Sequence, residues 1–226
     1  MQKNLLVQSS ALIEAHYKQT YTVQELRTVL WMISEIHKED YFKLQKYEHK
    51  AIEISAKRYA ELMGINVDNV YRDAEKIADD LGSKRFTIHT PTGWINLGWI
   101  SSMEYKHGEG IIRILVAPDL LPHIIDLKKY TSFKLENILN LGSSHAIKIY
   151  QLLVQYLWKG DRIISLIELR SILGISDMKS YKFYGSIKQK ILEVAKRKIN
   201  EHTDLIISYT EIKKQRKVEA IQFKIT

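Results

Sequence analysis

Twice in this chain, 110 residues apart, the same short pattern opens on a Ser and turns on a Gly-Ile pair. Ser55-Ala-Lys-Arg-Tyr-Ala-Glu-Leu-Met-Gly-Ile-Asn66 returns as Ser165-Leu-Ile-Glu-Leu-Arg-Ser-Ile-Leu-Gly-Ile-Ser176. In both copies an apolar pair precedes Gly-Ile and a small polar residue closes the segment. Tyr71 and Tyr181 keep the same offset, as do Ile77 and Ile187. A helix, a Gly-containing tight turn and a second helix form the helix-turn-helix pattern. Two copies indicate one duplicated supersecondary unit. That narrows the fold sharply and points toward DNA.

Charge divides the copies. Residues 1–125 carry 15 Lys+Arg against 16 Asp+Glu, whereas residues 126–226 carry 19 against 10, so the second half supplies the chain's net +8. A lopsided basic half is the footprint of a nucleic-acid surface or an anionic membrane. No apolar run approaches the roughly 18 residues a spanning helix needs. The opening Met1-Gln-Lys-Asn-Leu-Leu-Val-Gln-Ser-Ser turns polar too early for a signal peptide. The expectation is a protein without membrane contact. With no Cys, the chain has no disulfides, thiolate metal sites or cysteine nucleophiles, which fits a reducing cytoplasm.

The pattern along the chain predicts two tandem domains, 1–125 and 126–226. Leu5–Ala15 reads as a strand followed by a short helix. Thr22 and Glu25 stand in capping-box spacing before a stripe of Leu26, Leu30, Ile33 and Ile36 or His37. Ala51–Ile54 reads as a strand feeding the first helix-turn-helix. There Ser55 caps, Tyr59, Leu62 and Met63 face inward, and Gly64 turns the chain. Asn66 or Asp68 caps the next helix, whose buried stripe is Val70, Ala74, Ile77 and Leu81, with Gly82 as its stop. Residues 84–117 are strand-like between turn glycines, and Met103–Val116 predicts a β-hairpin. A hairpin directly after a helix-turn-helix is a wing. Pro118 and Pro122 punctuate a crossover to an apolar helix over 144–158, with Ile147, Tyr150, Leu153, Val154 and Leu157 as its stripe. Ile163–Ser165 reads as a strand. The second recognition helix is expected over about 179–200, burying Phe183, Ile187, Ile191, Ala195 and Ile199. Strands at 205–209 and 218–225 meet at a cationic tip, Lys213-Lys-Gln-Arg-Lys217. The fold class expected is α+β, mainly helical, with two tandem pseudo-symmetric winged-helix domains.

Several segments together resemble the iteron-binding plasmid replication initiators. They are Leu5-Leu-Val-Gln-Ser-Ser-Ala-Leu-Ile-Glu-Ala, Tyr130-Thr-Ser-Phe-Lys-Leu-Glu-Asn-Ile-Leu, His145-Ala-Ile-Lys-Ile-Tyr-Gln-Leu-Leu, Leu169-Arg-Ser-Ile-Leu-Gly-Ile, Tyr181-Lys-Phe-Tyr-Gly-Ser-Ile-Lys-Gln-Lys-Ile-Leu, Ile199-Asn and Phe223. They run in order over nearly the whole chain. Three positions depart: Ser10 replaces an Asn, Lys198 replaces the Glu before Ile-Asn, and Gln215 replaces the Gly of the C-terminal wing turn. The last predicts a turn looser than a two-residue primed turn. The resemblance implies two winged-helix domains and binding of double-stranded DNA at direct origin repeats by monomers. It further implies a homodimer through the N-terminal domain that represses the protein's own gene. Host initiator and helicase proteins as partners, and no catalytic site or cofactor, complete the implication.

If Phe183, Ile187 and Ile191 face the core, the other side of the second recognition helix shows Lys179, Lys182, Ser186, Gln189, Lys190 and Arg197, with Lys188 at the border. A recognition helix brings its N-terminal turns to base edges, so Lys182, Ser186, Lys188 and Gln189 are the candidate base readers. Each such contact is worth about 1–3 kcal/mol of discrimination. Lys213, Lys214, Arg216 and Lys217 on the wing suit phosphates. In the first copy Asp68, Asp73, Glu75, Asp79 and Asp80 would repel phosphate. Asn69, Arg72 and Lys76, with Lys57, Arg58, Lys84 and Arg85 nearby, could still hold a neighbouring stretch of duplex. Protein–protein contact through the apolar hairpin and first long helix is the compatible second reading.

Other chemistry finds little footing. The eight His (16, 37, 49, 89, 107, 123, 145 and 202) show no close metal-ligand spacing, so no metal is expected. Ile88-His89-Thr90 lacks the second His that would place Tyr181 or Tyr184 in a rolling-circle nicking site. Gly108-Glu-Gly110 has no Gly-Lys-Ser/Thr after it and reads as a hairpin turn. Trp31, Trp94, Trp99 and Trp158 sit in apolar stretches and read as core. The competing functions are a winged-helix repressor without a replication role and a nicking endonuclease.

Overall fold

The computed structural model describes residues 5–36, 50–125 and 130–226; His37, His49 and the expected boundary at residue 126 lie outside them. In chain order the elements are β1 (Leu5–Ser9), α1 (Ser10–Ile13), β2 (His16–Tyr17), α2 (Val23–Ser34), β3 (Ala51–Ser55), α3 (Ala56–Met63) and α4 (Val70–Ser83). Strands β4 (Arg85–Thr90), β5 (Gly93–Gly98), β6 (Ile100–Lys106) and β7 (Ile111–Val116) follow, then α5 (Leu121–Ile125), β8 (Tyr130–Lys134), α6 (Leu135–Asn140) and α7 (Ser144–Val154). The remainder is β9 (Asp161–Ser165), α8 (Leu166–Leu173), α9 (Tyr184–Ile187), α10 (Glu193–His202), β10 (Ile207–Lys214) and β11 (Lys217–Ile225).

These elements form two compact units, Met1–Leu12 with Gln24–Leu135, and Ile13–Val23 with Glu136–Thr226. Contact density thus divides the chain at 135/136, where sequence patterning divides it at 125/126, and assigns Ile13–Val23 to the second unit. The shift has a cause the sequence does not display. Strand β8 pairs antiparallel with β1, Leu5 opposite Lys134 and Ser9 opposite Tyr130, so the start of the chain holds residues 130–134.

In the first unit Ser55 caps α3, its hydroxyl accepting from the Arg58 N–H at 3.3 Å. Gly64 ends the helix at φ 67°, ψ 40°, the left-handed conformation that glycine adopts without a Cβ penalty. Asn66 caps a 3-10 turn through the Asp68 N–H at 2.9 Å. Val70, Ala74, Ile77 and Leu81 are buried, one face of α4. Gly82 does not stop that helix, which runs on to Ser83 with Lys84 as C-cap. Strands β3, β7 and β6 make a sheet in that order, and β6–β7 is the expected wing. A separate hairpin, β4–β5, is inserted between α4 and the wing.

The second unit repeats the arrangement. Strand β9 and helix α8 follow β3 and α3 at the same 110-residue offset, and Gly174 takes φ 69° as Gly64 takes 67°. The sheet order β9-β11-β10 matches β3-β7-β6, with the last wing strand in the middle both times. The core includes Ile147, Tyr150, Leu153, Leu169, Ile187, Ile191, Ala195, Ile199, Ile221 and Phe223, each under 2% exposed. Arg162 is buried there too, donating to the Leu152 carbonyl at 2.8 Å and to Glu14 at 2.7 Å. Among the tryptophans, Trp31 and Trp99 are core, but Trp94 and Trp158 are 69% and 84% exposed. Helix α7 ends at Val154 and the chain turns to 159, which carries Leu157 out of the predicted stripe and Trp158 to the surface.

Candidate nucleic-acid interface

The second recognition helix starts later than its apolar pattern suggests. After Gly174 a 3-10 turn spans Lys179–Tyr181, and Phe183 is the N-cap of α9. Its extended backbone (φ −95°, ψ 141°) takes its side chain off the helical stripe, leaving it 72% exposed rather than core. Lys179 and Lys182 therefore sit in the exposed lead-in. Arg170 of α8 fixes that lead-in by donating to the Lys182 carbonyl at 3.0 Å, and the Lys182 ammonium stands 5.8 Å from the Phe183 ring centre.

Between α9 and α10 the backbone is π-helical over Lys188–Leu192. The reason is legible in the spacing. Ile187, Ile191, Ala195 and Ile199 recur every fourth residue, and on an ideal α-helix each such step advances about 40° beyond a full turn. A wider turn absorbs the drift and keeps all four buried. On the other side Gln189 and Lys190 are exposed, Ser186 is half-buried, and Arg197 is exposed one to two turns further on in α10.

Glu211 of β10 ties this helix to the wing. Its carboxylate accepts from the Lys188 ammonium at 2.8 Å, the Tyr184 hydroxyl at 3.0 Å and the Lys213 ammonium at 3.2 Å. The Lys188 hydrogen bond, with those of Tyr184 and Lys213 and against partial burial, pulls the Glu211 carboxyl down to about 2. Lys188 is correspondingly raised. One turn along, the Tyr209 hydroxyl donates to Glu193 at 2.5 Å. Asn200 clamps the start of β10 by accepting from the Ile207 N–H at 2.7 Å and donating to its carbonyl at 3.0 Å. The Ile199-Asn motif is thus a hinge pin, the Ile in the core and the Asn on the strand.

The wing turn is tight. Lys214 faces Lys217 in register, leaving Gln215 and Arg216 as a two-residue loop, not the looser one expected. Gln215 takes φ 55° to close it, in the left-handed region that a Gly would occupy at less cost. Lys213, Lys214, Arg216 and Lys217 are all exposed. The wing cations and the Lys188 side of the helix are joined through one carboxylate.

The first copy has the same skeleton and different groups on it. Lys76 is exposed, Arg72 lies 3.4 Å from Asp73, and Asn69 is half-buried ahead of α4. Lys57 is exposed and Arg58 pairs with Glu61 at 3.1 Å. Lys84 turns inward. Its ammonium is 2.5 Å from the fully buried Glu25 carboxylate, so the acid that sequence spacing placed in a capping box is met by a cation that the same reasoning placed on DNA. Arg85 bonds the side chain of Asn96 and its carbonyl, the latter at 2.7 Å. Tyr71, Tyr105 and His107 pack ring to ring at 4.9–5.3 Å between α4 and the wing. Among the described residues no group of three or more His, Cys, Asp or Glu is placed to hold a metal ion, and no helix is long and apolar enough to cross a membrane.

Two helix-turn-helix units, each closed by a β-hairpin wing, define a tandem winged-helix protein. Residues 5–154 match the family described as "Initiator Replication protein, WH1" and residues 165–225 match "Initiator Rep protein, WH2"; the chain belongs to this replication initiator family. A "Replication initiation protein" of Escherichia coli is 20% identical over 165 residues, covering 70% of this chain. The chain spans about half the length of that curated relative, 51%. Among solved structures, the Pi initiator protein in complex with iteron DNA is similar over 100% of this chain and 98% of its own, at 19% identity and a TM-score of 0.75. Domains 2 and 3 of RctB are similar over 91% and 82%, at 13% identity and a TM-score of 0.50. At these identities the likeness establishes the fold.

Proposed function

We propose that this chain starts plasmid replication by binding directly repeated origin sequences as a monomer, and that a dimer formed through the first unit represses its own gene. The observation that carries this reading is the Glu211 cluster, which fixes the start of the recognition helix and the cationic wing as one exposed surface. Lys182, Ser186, Lys188 and Gln189 read bases, while Lys179, Lys190, Arg197, Lys213, Lys214, Arg216 and Lys217 meet phosphates. Asn69, Arg72, Lys76 and Arg85 of the first unit add a weaker hold on neighbouring duplex. The protein acts without a catalytic centre or cofactor, in the cytoplasm on plasmid DNA, and hands the opened origin to host initiator and helicase proteins.

The reading is supported by family membership and by the Pi initiator, which was crystallised on iteron DNA. Footprinting on the DNA flanking the gene tests it, with several direct repeats beside an AT-rich segment as the expected target. Protection of an inverted repeat alone would favour a repressor without a replication role. Covalent attachment to a relaxed plasmid in Mg²⁺ or Mn²⁺ would favour a nicking enzyme. Lys182→Ala and Gln189→Ala should lose affinity chiefly for the cognate repeat. Lys214→Ala should weaken cognate and random duplex alike and lower the salt slope by about 0.9. Equal loss on both DNAs in all three variants would mean that the reading surface is misassigned.

A further inference from the structure

Phe183 and Gly185 are two residues whose identities the fold itself does not explain. Phe183 is a large aromatic side chain, 72% exposed, at the N-cap of the recognition helix and between the exposed Lys179 and Lys182 on one side and Ser186 on the other. Gly185 lies within the first turn of α9, where glycine costs helix stability relative to alanine. Its φ is not in the left-handed region, and a Cβ added there would meet nothing within 4 Å. Neither a turn nor an internal close approach requires it.

We infer that Phe183 is a specificity residue that packs on the 5-methyl group of a thymine in the major groove, and that Gly185 gives the first turn clearance to reach it. The inference rests on the DNA-binding reading above. The chemistry selects the ligand. Base edges in the major groove present hydrogen-bond donors and acceptors, which a phenyl ring cannot satisfy, and one apolar group, the thymine methyl. The N-terminal end of a recognition helix is where base edges come closest. Lys179, on a phosphate, and Lys182, on a neighbouring base edge, bring the ring into place.

Selection from a random duplex library by the full-length chain, repeated with Phe183→Ala, tests this directly. The wild-type consensus should contain a thymine that the variant no longer requires. Replacing that dT by dU, which removes only the methyl, should weaken wild-type binding about fourfold, as expected for one buried carbon, and leave Phe183→Ala unaffected. Gly185→Ala should raise the thermal midpoint while weakening cognate binding, opposite signs that a merely structural role would not give. A consensus unchanged by Phe183→Ala, an equal dU penalty in both proteins, or a loss shared by cognate and random duplex overturns the inference alone. The last outcome would indicate a protein or non-specific contact for the ring. A wild-type chain that enriches no sequence overturns the parent reading and this one with it.

Discussion

The two turn glycines, Gly64 and Gly174, allow the shared scaffold to be separated from local packing. Each is left-handed, at φ 67° and 69°, so alanine at either position meets the same backbone penalty of about 1–2 kcal/mol. The surroundings differ. At Gly174 a Cβ would lie 2.2 Å from the Gln19 carbonyl oxygen, 2.6 Å from its carbon and 3.1 Å from the Thr20 nitrogen, all backbone. Ordinary contact is about 3.5–4.0 Å, so the chain would have to move by more than an ångström, a kind of overpacking that costs about 1–3 kcal/mol. At Gly64 the nearest atom is Arg27 Nη1 at 2.9 Å, the end of a flexible side chain that can yield by a few tenths of an ångström. Gly174→Ala should therefore lose about 2–5 kcal/mol and Gly64→Ala about 1–2 kcal/mol, sums of the terms just given. Urea unfolding followed by circular dichroism reads the difference, with each site reporting on its own unit. Equal losses, or a smaller loss at Gly174, would refute the argument that Gln19 packs against the second turn.

Two further outcomes concern the helix–wing junction. Because Glu211 is held near 2 in the folded chain and titrates near 4.5 when free, its stabilising effect is present above pH 4.5 and lost as pH falls from 4.5 toward 2; Glu211→Gln should flatten the fall of the thermal midpoint in that window, and an unchanged slope would exclude the carboxylate as the junction's anchor. Gln215→Gly should stabilise by up to about 1 kcal/mol, since relief of the left-handed strain exceeds the entropy added to the unfolded chain, and a destabilised variant would show that the Gln215 side chain matters more than its backbone.

Much of the scaffold was legible because it is written in buried periodicity and in turn residues. Ser55, Gly64, Ser165 and Gly174 take the capping and turning roles their spacing predicts, and the stripes Val70–Leu81 and Ile187–Ile199 are buried. Elements defined by long-range pairing were not. Residues 130–134 become a strand only because Leu5–Ser9 offers an edge 125 positions away, and no local pattern encodes that partner. Phe183 fits the helical period in sequence but precedes the helix as its N-cap, where the extended ψ turns its side chain off the buried stripe. Local pattern shows Lys84 only as a charged residue after a helix, because the burial of its partner Glu25 is set by tertiary packing. The four-residue spacing of Ile187, Ile191, Ala195 and Ile199 exceeds the 3.6-residue turn and is matched by the π segment.

The comparison of the two copies explains how one backbone supports unequal electrostatics. Folding constrains the inward stripe and the turn, and both copies keep these. The outward face has no role in packing, so substitution there is limited only by what the surface meets. Helix α4 and the 3-10 turn before it present Asp68, Glu75 and Asp79 at exposed positions, and the second recognition segment presents Lys179, Lys182, Lys188 and Lys190. Near a phosphate backbone, each cation that releases a counterion gains affinity, while each carboxylate opposes approach. The same helix-turn-helix therefore cannot grip duplex equally in both units. The charge contrast favours the proposed sequence reading by the second unit, while in the first Lys84 is engaged with buried Glu25 and Tyr71, Tyr105 and His107 pack against one another.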